Sequence, residues 1–185
     1  MSRREIFRGK KFSLQTVPVS TRSGSEQRAL VVHPGSVVIL ALTDQQEIVF
    51  IQNHRYSLER RLLELPAGTR DPEEDPVDCA RRELREETGF TAGSLTPLGR
   101  WYTAPGFCDE EMFAYLAQKL QHVGQELEDD EDIEVVLTPL KTARAELQAG
   151  IYEDGKTIAA LGLYLLRERS RSENTAGPGP GNTPD

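Results

Sequence analysis

The stretch from Gly68 to Phe90 constrains this chain more than any other. Five residues separate Gly68 from Glu74, and seven more separate Glu74 from Arg82-Glu83-Leu84-Arg85-Glu86-Glu87-Thr88-Gly89-Phe90. Pro76, the acidic residues that crowd the first turn, and Gly89 just past the end predict a helix over 76–88. At about 100° per residue, with Glu83 at zero, Glu86 falls near −60° and Glu87 near +40°. Three carboxylates therefore share one face. Val77, Ala80, Leu84 and Thr88 lie on the adjacent face, which must pack on an apolar layer. Carboxylates roughly 6 Å apart repel by about 3 kcal/mol per pair at an effective dielectric near 20. A hard divalent cation removes that repulsion, and oxygen donors of this kind suit Mg²⁺ or Mn²⁺. Arg82, four residues before Glu86, can pair with that carboxylate and fix its orientation. A short charged helix is usually a solvated face. The complete spacing, with seven fixed identities and two apolar positions, arises by chance only on the order of 10⁻⁷ of the time.

The rest of the chain supplies the layer that this helix needs. Val37-Val38-Ile39-Leu40-Ala41-Leu42 is a continuous apolar run of strand length, and Asp44-Gln45-Gln46 turns it into Ile48-Val49-Phe50-Ile51. Leu62–Leu65 reads as a short strand that ends at Pro66-Ala67-Gly68. Further strands are expected around 95–102, 112–117 and 133–138, with helices at about 141–148 and 157–169. Ile6 to Val19 reads as one or two edge strands around an Arg8-Gly9-Lys10 turn, and Thr21 to Gln27 as a loop. Mixed strands and helices in this order predict one α/β or α+β domain over residues 1–170, with helices packed on a mixed sheet. Residues 171–185 have the composition of a disordered tail.

Composition narrows the function. The 185 residues carry 22 Lys and Arg against 30 Asp and Glu, a net charge of −8. An acidic chain of this kind is expected to bind neither nucleic acid nor an anionic membrane. No run approaches the roughly 18 apolar residues of a membrane span, and the first residues lack the apolar core of a signal peptide. Two cysteines, Cys79 and Cys108, make no disulfide framework and fit a reducing, cytoplasmic compartment. His33, His54 and His122 show no zinc spacing. Cys79 reads as a small packing residue, while Trp101 and Tyr102 can stack a base or fill a strand core.

The spacing of residues 68–90 matches the Nudix box in every defined position, and the chain resembles the Nudix hydrolase family from Arg28 to about Leu166. The resemblance implies an α/β/α sandwich with a mixed β-sheet. It implies hydrolysis of a nucleoside diphosphate linked to another moiety, with Mg²⁺ or Mn²⁺ as cofactor. Glu83 and Glu87 would be the principal metal ligands, the Ala67 carbonyl a further one, and Glu86 a ligand or proton acceptor. Leu63-Glu64-Leu65-Pro66-Ala67-Gly68 and Pro105, within Tyr102-Thr103-Ala104-Pro105-Gly106, are similar to the branch that cleaves ADP-ribose and nucleoside diphosphate sugars. Ala104 stands where that branch usually has Ser, and Asn53 in Asn53-His54-Arg55 stands where it usually has Gln.

By the same resemblance Arg55 matches a phosphate contact, Arg28 a phosphate or base contact, and Glu110 an acidic position near the substrate. Seven of the nine residues from Glu126 to Glu134 are acidic. A loop in this place carries a glutamate that completes the metal site or activates water, and Glu131 matches it best. Asp129 is the rival proton acceptor. The branch is typically a homodimer whose N-terminal strands reach the partner's site. Two other readings belong to different classes: a hydrolase of nucleoside triphosphates or dinucleoside polyphosphates, and a non-catalytic ADP-ribose sensor.

Overall fold

Val37–Leu42 is apolar throughout because it is covered on both faces. The structure is a computed structural model that describes residues 2–127 and 132–175. In it every residue of β4 (Ser36–Leu42) is buried. Side chains alternate along a strand, so Val38, Leu40 and Leu42 enter one apolar cluster and Val37, Ile39 and Ala41 another. The first cluster is closed by Ala143 of α2 (Leu140–Gln148) and by Ala160, Leu161 and Tyr164 of α3 (Gly155–Thr175). The second is closed by Cys79, Ala80 and Leu84 of α1 (Pro76–Thr88). Helices thus cover both faces of one sheet, as expected for an α/β/α sandwich.

That sheet has seven strands in the order β10-β5-β4-β9-β8, with β6 on β5 and β7 on β4. The strands are β5 (Glu47–Arg55), β6 (Arg60–Glu64), β7 (Ala67–Thr69), β8 (Phe90–Tyr102), β9 (Glu111–His122) and β10 (Ile133–Pro139). β4 runs parallel to β9, Ser36–Ala41 against Met112–Ala117, while its other pairings are antiparallel. Along its remaining edge β4 changes partner. Ser36–Val38 face Thr69–Ala67 of β7, whereas Ala41 and Leu42 face Val49 and Ile48 of β5. This split places the backbone of Ala67 and Gly68 beside the end of α1.

The ends of α1 follow from local chemistry. Asp75 caps it by accepting the Val77 amide at 2.9 Å, Pro76 begins it, and Gly89 ends it at φ 71° with its N–H on the Arg85 carbonyl at 2.8 Å. Gly89 is also where residues 124 and 125 cross the helix. A Cβ there would lie 2.7 Å from the Gly124 carbonyl carbon.

Three expectations are corrected. Thr21–Gln27 is mostly strand: a two-residue turn joins β2 (Ser13–Thr21) to β3 (Gly24–Val32), and with β1 (Arg4–Arg8) they form a separate sheet. Residues 24–29 are exposed, so no apolar alternation announces that strand. Ala67 and Gly68, read as the end of the strand from Leu62, begin a strand of their own with Thr69, β7. Residues 171–175, assigned to the tail, continue α3. Adding residues to an existing helix is far easier than starting one, and neither Gly nor Pro occurs between Gly162 and Gly177.

Candidate active site

Glu83 and Glu87, one helical turn apart on α1, are buried against β7. The Glu83 carboxylate lies on the backbone of Gly68, where a Cβ would sit 1.8 Å from Glu83 Cδ. Glu87 Oε2 accepts the Ala67 N–H at 2.8 Å. Arg82 organises the surrounding acids. Its Nη1 donates to Glu83 Oε1 at 2.7 Å and to Glu86 Oε2 at 3.1 Å, while Nε and Nη2 each reach Glu74 at 3.0 Å. Hydrogen bonds from Arg82 hold the Glu74 carboxyl down at about 2, with the Asp71 N–H assisting, and the same bonds push the Arg82 pKa above its ordinary value. One guanidinium therefore spans three carboxylates.

The β7 residues on which Glu83 and Glu87 pack, Ala67 and Gly68, together with Thr69 line a cleft of about 660 Å³. One lining group centres on Glu64, which is fully buried. Arg55 donates to it through Nε at 2.7 Å and Nη2 at 2.5 Å, and Lys156 Nζ donates to the same Oε2. Glu64 raises the Arg55 pKa, and the charge of Glu87 adds to the shift. A second lining group centres on Glu110, whose oxygens accept the Ser36 hydroxyl at 2.6 Å and the Thr103 hydroxyl at 2.7 Å.

A NUDIX domain profile matches residues 32–161. The chain belongs to the Nudix family. It is 36% identical over 176 residues to an ADP-ribose pyrophosphatase of Bacillus subtilis (strain 168), covering 94% of this chain and 95% of that one. It is 34% identical over 167 residues to a methanol dehydrogenase activator of Bacillus methanolicus, covering 89% and 90%. Among solved structures, that of an ADP compounds hydrolase superposes with a TM-score of 0.75 at 25% identity, covering 94% of each chain.

The Nudix box is thus β7, the loop through Glu74, and α1. Ala67, Glu83, Glu86 and Glu87 meet there. Among the described residues no three His, Cys, Asp or Glu side chains form a ready-made metal cage. The fit to a divalent cation rests on donor chemistry: two buried carboxylates packed on the Ala67–Gly68 backbone, all hard oxygen donors. Arg55 and Glu110 line the same cleft. Arg28 and Pro105 do not. Arg28 is exposed on β3 within 3.8 Å of Glu26, and Pro105 is exposed in the turn that the Ala104 carbonyl closes with the Phe107 and Cys108 amides. Asp129 and Glu131 lie outside the described residues.

Cys79 is buried in the sheet-facing side of α1, and burial raises its thiol pKa well above the usual value, so it is no nucleophile. Trp101 lines the cleft and packs on the core at once, while Tyr102 is exposed.

A residue lining this Nudix cleft and the buried acid behind it escape a reading of the sequence, Lys156 and Glu64. They are 92 positions apart in the chain, and nothing local to either marks the contact. Asp154 did leave a signal. It caps α3 by accepting the Thr157 amide at 3.0 Å and hydroxyl at 2.6 Å, an Asp-x-x-Thr spacing typical of helix starts.

Proposed function

We propose that the protein hydrolyses the diphosphate linkage of ADP-ribose or a related nucleoside diphosphate sugar, giving a nucleoside monophosphate and a sugar phosphate. The observation that carries this reading is the pair of buried carboxylates, Glu83 and Glu87, set on the Ala67–Gly68 backbone beside Arg55. The relative named for ADP-ribose hydrolysis, matched over nearly the whole of both chains, supports the substrate class.

In this reading Glu83, Glu87 and the Ala67 carbonyl would hold Mg²⁺ or Mn²⁺. The cation would neutralise the diphosphate and lower the pKa of an attacking water. Arg55 turns two N–H groups to Glu64 and keeps its Nη1 group for a phosphate oxygen, a charge-assisted contact. Glu86, half-buried and steadied by Arg82, is one candidate to take the proton from water as oxygen bonds to phosphorus; Glu131 and Asp129 are the others. The bridging P–O bond then breaks, and the departing phosphate keeps the electron pair. Glu110 would meet a hydroxyl of the substrate through its carboxylate edge. Arg28 and Pro105 would contact substrate only through a second protomer, since neither lines this protomer's cleft. A homodimer is part of the proposal, and the separate β1–β3 sheet with Ile6, Phe7 and Phe12 exposed supports it. No described helix is long and apolar enough to cross a membrane, and two free cysteines fit a cytoplasmic enzyme.

The test is turnover of ADP-ribose, several nucleotide sugars, triphosphates and diadenosine polyphosphates with Mg²⁺ and with Mn²⁺. AMP and ribose 5-phosphate from ADP-ribose support the reading. Preferred cleavage of triphosphates would replace it, and tight ADP-ribose binding without turnover would make the protein a sensor.

A further inference from the structure

Arg70 lies in the spacer between Gly68 and Glu74, where the box spacing leaves every identity open. It is not one of the residues that line the cleft, yet all three of its side-chain nitrogens are engaged. Nε donates to the Glu74 carbonyl at 3.0 Å, Nη2 donates to that same oxygen, and Nη1 donates to the Pro34 carbonyl at 3.2 Å. The guanidinium carbon stands 5.5 Å from the centre of the Phe113 ring on β9, a cation–π contact. The main-chain N–H of Arg70 donates to the Gly35 carbonyl at 3.0 Å. Arg70 thus joins the entry of β4 and the face of β9 to the main chain of Glu74.

The segment it holds is strained. Glu73 sits at φ 68°, a left-handed conformation that a residue with a Cβ adopts at a cost. Such a conformation persists only where its surroundings over-determine it. The Glu74 N–H donates to the Asp71 carbonyl at 3.1 Å, and the Asp71 N–H to Glu74 Oε2 at 3.0 Å. Glu74 is therefore gripped twice, by Arg70 on its main chain and by Arg82 on its carboxylate. Arg82 in turn gives Nη1 to Glu83 and Glu86. A shift of the Glu74 main chain would move the seat of Arg82, and with it the carboxylates of α1.

We propose that Arg70 is a positioning residue for the hydrolysis: anchored on Pro34, Gly35 and Phe113, it fixes Glu74 and, through Arg82, the orientation of Glu83 and Glu86. This assignment rests on the metal-dependent reading above.

Arg70→Met tests it, because methionine keeps an apolar contact for Phe113 and loses the charge and the donors. Residues that orient metal ligands from outside typically change metal affinity about 10–100-fold, and Arg70 acts at one further remove. The Kd for Mn²⁺, measured by electron paramagnetic resonance without substrate, should rise about 10-fold. The kcat for ADP-ribose at fixed Mg²⁺ should fall about 10-fold or more, with KM within about threefold because Arg70 does not reach the cleft. In a Glu74→Gln background the same substitution should cost less than about twofold in Kd and in kcat, since its route to Arg82 is already cut. Unchanged Mn²⁺ binding and kcat would overturn the proposal, even with a lower melting temperature, which would mark a simple brace. So would a rise in KM alone, or an equal cost in both backgrounds. Arg70→Gln replaces the methionine variant if that variant fails to fold. Absence of Mn²⁺ binding and turnover in the unsubstituted protein would count against the functional reading, whereas turnover with an indifferent Arg70 would count against this inference alone.

Discussion

The carboxylate of Glu83 occupies the space in which a Cβ on Gly68 would lie, 1.8 Å from Glu83 Cδ. The Gly68 backbone does not have a positive φ, so alanine is excluded there by space and not by conformation. Gly68→Ala should therefore fold and displace Glu83. A shift of about 1 Å in a group at the reacting centre can cost about 100-fold in rate. Turnover should fall by that order, while the melting temperature changes little. Wild-type turnover in this variant would show that Glu83 need not sit on β7.

Glu87→Gln should lose nearly all turnover with the fold intact. Its amide oxygen can still accept the Ala67 N–H, so only the charge is removed. Glu83→Gln should behave alike. The measurement is initial rate at limiting Mg²⁺, with circular dichroism as the folding control. Near-wild-type rates in both variants would remove the metal site from α1.

Much of this site was legible because its determinants are local. Asp75, Pro76, Gly89 and the carboxylates of α1 all belong to one 23-residue stretch, and helix periodicity alone puts Glu83, Glu86 and Glu87 together. The apolar run of β4 likewise announced a doubly covered strand. What stayed hidden depends on pairing across the fold. The contact between Glu64 and Lys156 joins β6 to α3 and has no local signature. Strand β3 is held by register with β2, Val17 against Arg28 and Thr21 against Gly24, while its own residues 24–29 are exposed. Arg28 follows from that. Its place on a largely solvated sheet could not be foreseen from a reading that had a loop ending at Gln27.

The Arg82–Glu74 pair predicts a pH dependence. Arg82 holds Glu74 at about 2, below its ordinary 4.5. A carboxyl depressed on folding stabilises above its unfolded pKa, and that stability is lost as pH falls through the folded value. Glu74→Gln should therefore melt lower than the unsubstituted protein at pH 6 to 7, and the gap should close between about pH 4.5 and 2. A gap that is constant over that range would mean that the charge of Glu74 contributes nothing.

Glu64→Gln should destabilise the fold by about 2–3 kcal/mol. Removing one partner of a buried ion pair commonly costs 3–5 kcal/mol, or about that, and the lower figure applies because Lys156 keeps Asp154 and Arg55 is partly open to solvent. Urea unfolding at pH 7 measures it. A change of less than about 0.5 kcal/mol would show that Arg55 and Lys156 find equal partners without Glu64.

The acidic run is the last matter that kinetics can decide. The chain approaches it along the end of α1: Gln125 donates to the Glu87 carbonyl at 2.6 Å, the Glu126 N–H to the Glu86 carbonyl at 3.1 Å, and Arg85 pairs with Glu126 at 2.9 Å. Near its other end, Asp132 accepts from Arg61 at 2.5 Å. The run therefore begins within hydrogen-bond reach of the backbone of the proposed metal ligands. If Glu131 takes the proton from water, Glu131→Gln should lower kcat about 10²–10⁴-fold with little change in KM. Asp129→Asn, two residues away in the same charge environment, should then change the rate by less than about twofold. The reverse pattern would assign the proton to Asp129. Indifference in both variants would leave Glu86, steadied by Arg82 at 3.1 Å, as the acceptor.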